Sequence, residues 1–93
     1  MIELLVERAL EDGIELANNE MESAYELYQM EKVSLTVDGG RLTPIVNDIV
    51  AETINRLSEQ MRQLSPEEHN VHLLRSVFRK RIKVTRKTFY KKT

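Results

Sequence analysis

Between Ile2 and Tyr28 the apolar residues fall at helical intervals. Ile2, Val6, Leu10, Ile14, Ala17, Met21, Ala24 and Tyr28 are each three or four positions apart. That spacing puts them on one stripe of an α-helix. Glu3, Glu7, Glu11, Glu15, Glu22 and Glu26 fill positions between them, as expected of a water-facing side. The periodicity predicts a helix over residues 2–31. At 1.5 Å per residue it would run roughly 45 Å, long for a chain of 93 residues. A helix of that length must lie against the rest of the chain along its stripe or pair with another copy. Gly13 costs about 1 kcal/mol relative to Ala inside a helix and marks a place for a bend or a break.

After this segment the period changes. Val33, Leu35 and Val37 alternate with Ser34, Thr36 and Asp38, the pattern of a half-buried strand. Asp38-Gly39 with Gly40 behind it tolerates positive φ and reads as a tight turn, with a return strand over Gly40–Thr43 that stops at Pro44. Thr43 as N-cap and Pro44 at the first helical position then predict a second helix. Its stripe is Val46, Val50, Ile54, Leu57, Met61 and Leu64. Ser65, Pro66 and Glu68 form the capping box of a third helix with Val71, Leu74, Phe78 and Ile82 on its apolar face. Past Lys83 the chain suits a frayed helix, an edge strand or a disordered tail. The expected fold is mainly α, a long first helix plus a helical pair, with a short β-hairpin at residues 33–43. Residues 1–83 form a single domain and residues 84–93 a basic tail.

A chain of this size buries only about two-thirds of its unfolded surface, so self-association is an expected route to added stability. It is 41% hydrophobic and 31% charged, too apolar for a disordered chain and too charged for a membrane protein. No apolar run approaches the eighteen or so residues needed to span a bilayer. Glu3, Glu7, Glu11 and Asp12 near the N-terminus argue against a secretory signal. The absence of cysteine excludes disulfides, thiol catalysis and Cys-type zinc sites, and fits a reducing compartment. The expected location is the cytoplasm.

The net charge of −1 conceals a division. Residues 1–68 hold all fifteen Asp and Glu against five Lys and Arg, a net of −10, whereas residues 69–93 hold nine Lys and Arg and no acid, a net of +9. Charge separation on this scale points to a partner. Arg75, Arg79, Lys80, Arg81, Lys83, Arg86, Lys87, Lys91 and Lys92 could neutralise phosphates, since phosphate binding needs only positive charge along a surface. Phe89 and Tyr90, set among them, could stack on unpaired bases. The other reading is that these cations meet the acidic face of the first helix, within one molecule or between copies, or dock on an acidic protein surface. A membrane surface is not expected, because the segment lacks a wide apolar face to bury among headgroups.

Other motifs carry less. His69 and His72 with Glu68 share one helical turn, but no fourth ligand is fixed by the sequence and no metal is expected. Val37-Asp38-Gly39-Gly40-Arg41 lacks the spacing and the Lys-Ser/Thr pair of a phosphate-cradling loop and reads as a turn. No catalytic triad, thiol nucleophile or enclosed carboxylate pair is present, so no enzymatic activity, cofactor or small-molecule substrate is expected. Met21, Met30 and Met61 read as core filler. Tyr25 and Tyr28, one turn apart beside the stripe, read with Leu10, Ile14 and Met21 as anchors of a helix–helix interface with a second copy or a partner. The sequence thus suggests a non-enzymatic regulatory protein that grips nucleic acid phosphates through its basic end with little sequence readout. The alternative is an accessory protein (adaptor, inhibitor or assembly component) that docks through its acidic helix and basic tail.

Overall fold

The computed structural model describes residues 2–30 and 39–92, and all but the three residues 65–67 of them are helical. Helix α1 spans Ile2–Met30, α2 spans Gly39–Leu64 and α3 spans Glu68–Lys92. Each helix packs against both others, in a molecule measuring 47 × 17 × 17 Å. The long dimension is about that of a straight helix the length of α1, so the bundle is elongated along its helices.

Contacts between helices fix their directions. Gly13 of α1 meets Leu57 of α2, and Leu5 and Leu64 line the same groove, so α2 descends beside α1. Arg86 reaches Asn47 while Arg62 meets Glu68, so α3 ascends beside α2. Glu7–Arg81 and Tyr25–Phe89 then rise together along α1 and α3.

The stripes expected from sequence supply the core. Leu10, Ala17 and Met21 of α1, Val46, Ile54, Leu57 and Met61 of α2, and Val71, Leu74, Phe78 and Ile82 of α3 are buried in one cluster. Gly13 neither bends nor breaks the helical run of α1. It packs against α2, and a Cβ there would stand 3.0 Å from Leu57 Cδ1. Two buried hydroxyls of α2 are satisfied locally: Thr53 Oγ1 donates to the Ile49 carbonyl at 2.8 Å and Ser58 Oγ to the Ile54 carbonyl at 2.7 Å.

Ser65 makes the sharp turn between α2 and α3. Its N–H donates to the Met61 carbonyl at 2.8 Å, completing the last turn of α2. Its hydroxyl accepts from the Asn70 side chain at 2.8 Å and, more distantly, from the Glu67 N–H. Glu68 does not close a capping box. Its carboxylate accepts from Arg62 Nε at 3.4 Å instead.

Three expectations are corrected. The β-hairpin is not seen: residues 33–38 lie outside the described residues, and Gly40–Thr43, the expected return strand, belongs to α2. Pro44 accordingly sits inside α2 and not at its first position. Its missing N–H forfeits one hydrogen bond to the Gly40 carbonyl. What offsets this is Leu42, buried one turn before Val46, where extending the helix adds a full side chain worth about 2 kcal/mol to the stripe. Second, α3 crosses the expected domain–tail boundary at Lys83 without interruption. Phe89 falls two turns beyond Ile82 on the same face and is 2% exposed, so the basic end is docked by an aromatic side chain. Third, Leu10 and Met21 are not a surface for a second copy. They are buried within the molecule's own core, and Ile14 and Tyr25 pack against it. The Tyr28 side chain lies outside the described residues.

Candidate nucleic-acid interface

The cations of α3 are sorted by the turn of the helix. Phe78 and Phe89 face the core. At about 100° per residue, Lys80, Lys87 and Lys91 come out on the side remote from those rings, with Lys83 close by. Arg79, Lys80, Lys83, Lys87 and Lys91 are all exposed. Lys83, Arg86, Lys87, Lys91 and Tyr90 line one shallow concavity on this face, which contains no carboxylate.

The two flanks of α3 differ. Toward α1, Arg81 forms a bidentate pair with Glu7, Nη1 to Oε1 at 2.7 Å and Nη2 to Oε2 at 3.0 Å. The hydrogen bond from Arg81 holds the Glu7 carboxyl below the usual carboxylate range, and the same bond with the fields of Glu7 and Glu11 raises the guanidinium further. Arg81 is therefore occupied within the molecule. Toward α2, Arg86 Nη2 donates to Asn47 Oδ1 at 2.7 Å. This partner is a neutral amide, so the bond orients the guanidinium and leaves its charge uncompensated. Asn47 lies in a helix that the sequence reading connected only to the core, and only the packing of α2 on α3 brings it to the site.

The remaining candidates divide as follows. Arg75 is half-buried, and its Nε, buried, has no hydrogen-bond partner among the described residues. Lys92 closes α3, and its side chain lies outside the described residues. Phe89 is turned inward, its ring edge-on to Tyr25 with centroids 6.2 Å apart. Tyr90 is half-buried, edge-on to Phe89 at 5.3 Å, with its hydroxyl end buried. Among the described residues, no carboxylate pairs with Arg79, Lys80, Lys83, Lys87 or Lys91, whereas Glu7–Arg81 joins α1 to α3.

His69 and His72 are exposed in the first turns of α3. Among the described residues no group of three or more His, Asp or Glu is placed to hold a metal ion. None of the described helices is long and apolar enough to cross a membrane. What the arrangement offers chemically is a row of uncompensated cations. No protein-family model, curated protein or solved structure matches this chain.

Proposed function

We propose that the chain is a small binding protein that holds nucleic acid by its phosphates through the outer face of α3, with little base readout and no chemistry of its own. The observation that carries this reading is the concavity of Lys83, Arg86, Lys87 and Lys91, with no carboxylate in it among the described residues. Lysines contribute point charges and lack the planar fork that reads a guanine edge bidentately, which suits contact with the backbone rather than the bases.

A titration against labelled DNA at two salt concentrations tests it. Five contacts, from Lys80, Lys83, Arg86, Lys87 and Lys91, give a log–log salt slope of about −4.5, or roughly a five-hundredfold loss of affinity between 50 and 200 mM. A Lys83/Lys87→Ala variant should flatten the slope by about two units. Absence of binding to DNA or RNA at the lower salt defeats the reading.

A second reading, an accessory protein that docks on another protein, is favoured by Leu5, Leu16 and Leu64, exposed around the groove between α1 and α2. Docking there would bury apolar surface and would depend little on salt.

A further inference from the structure

We infer that the α3 face takes double-stranded nucleic acid in preference to single strands. This rests on the phosphate-binding reading and specifies its ligand. Proteins that hold single strands combine cations with aromatic faces on which successive bases stack. The basic end of this chain contains two aromatic residues, Phe89 and Tyr90, and both are turned toward the protein. Phe89 is enclosed at 2% exposure, held edge-on between Tyr25 and Tyr90. Tyr90 is half-buried, with its hydroxyl buried against the protein, so only part of its ring is left at the concavity. Phe78 is fully buried, and Tyr25 packs on the core at the far side of Phe89. Among the described residues, an unpaired base brought to Lys83 or Lys87 therefore finds charge and no fully exposed aromatic ring.

Charge alone favours the duplex. Lys80 to Lys91 covers roughly 16 Å along α3. Over that length a duplex presents about ten phosphate charges, against about five on one strand at the same rise. The helix that carries the row is held in place, because Phe89 and Ile82 pack α3 on the core. A regular array of phosphates can match it without reordering, whereas a flexible strand must lose conformational freedom with no stacking to compensate.

The magnitude follows from the counterion slopes. Five contacts give about −4.5 for duplex DNA and about −3.5 for a single strand. Lines that meet at 1 M salt stand about twentyfold apart at 50 mM. Fluorescence anisotropy of the full chain with a labelled 20-base-pair duplex, and with each of its strands alone, measures this directly. The expected result is a duplex Kd about twentyfold lower at 50 mM, with the gap closing as salt rises. Single strands that bind as tightly as the duplex, or more tightly, overturn the duplex assignment and leave phosphate binding standing. If neither form binds, phosphate binding itself fails.

Discussion

The contact between Gly13 of α1 and Leu57 of α2 makes a prediction whose sign depends on that side chain. An ideal Cβ on Gly13 would lie 3.0 Å from Leu57 Cδ1, 3.3 Å from Cδ2 and 3.4 Å from Cγ, inside the roughly 3.5–4.0 Å at which carbon atoms rest. Gly13→Ala removes the conformational freedom of glycine from the middle of α1, a gain of about 1 kcal/mol. Against it, Leu57 must leave its rotamer or α1 must move outward, and overpacking of this sort costs about 1–3 kcal/mol. The substitution should therefore leave the wild-type chain unchanged or destabilise it by up to about 2 kcal/mol. In a Leu57→Ala background the opposing atoms are gone. That change alone costs about 2–5 kcal/mol because Leu57 is buried. Adding Gly13→Ala should then restore about 1–2 kcal/mol, from propensity and from one methyl group placed in the vacated space. The coupling between the two positions is thus about 2 kcal/mol, within the range of contacting residues. Urea denaturation of the four proteins, followed by far-ultraviolet circular dichroism, closes the cycle. Equal stabilisation by Gly13→Ala in both backgrounds would falsify the close crossing.

Two further outcomes follow from the basic end and its one ion pair. Phe89→Ala should cost about 3–5 kcal/mol in the same denaturation assay, whereas Lys87→Ala, exposed two positions away on the opposite side, should stay within about 0.5 kcal/mol; a loss under about 1 kcal/mol for Phe89→Ala means that the C-terminal turns of α3 are not docked. The Glu7 carboxyl titrates below its ordinary range through its hydrogen bond with Arg81, so its contribution is present at neutral pH and is lost as pH falls through the ordinary glutamate range and then the lowered value. The Tm difference between wild type and Glu7→Gln should accordingly shrink on acidification, and a difference constant from neutral pH to about pH 3 contradicts the pairing.

The helical part of this fold was legible because its signal is a period repeated over many turns. Leu10, Ala17, Met21, Val46, Leu57, Met61, Leu74 and Phe78 announce their burial by spacing alone, and they are buried. Legibility failed where a few local residues spoke against a tertiary contact. Gly39, Gly40 and Pro44 signal a turn and a helix start, yet Leu42 is on the stripe of α2 and its burial outweighs them. Thr85 interrupts the apolar face of α3 between Ile82 and Phe89, which hides the continuation to Phe89. The same gap led to the reading of Phe89 as a stacking residue, when its ring is an anchor. At the site, charge segregation was plain in the sequence. Which cations are compensated was not, because Glu7 and Asn47 lie 74 and 39 positions from the arginines they meet. Likewise, an interface and a core both require an apolar stripe at the same spacing, so the sequence of α1 could not say whether Leu10 and Met21 face a second copy or α2 and α3.

Opposite charges of this size on one short chain ought to pull together, and the balance of magnitudes explains why most of the cations of α3 stay outward. A pair as exposed as Glu7–Arg81 contributes little to stability. Turning Lys83 or Lys87 toward α1 would require α3 to roll about its axis, withdrawing Phe78, Ile82 and Phe89 from the core. Each large side chain so exposed costs several times one surface pair. The apolar face therefore sets the rotation of α3, and only Arg81, already on the flank nearest α1, collects a carboxylate. On the other flank the nearest polar partner is Asn47, which holds Arg86 without cancelling it. In this way the division of charge along the sequence is kept only in part in space: Glu11 and Glu15 of α1 border α3 beside Arg81, whereas Lys83, Arg86, Lys87 and Lys91 line a separate concavity. Under the proposed function, a polyanion would be repelled from the Glu-lined groove and drawn to that concavity, so the field that attracts it would also orient the encounter.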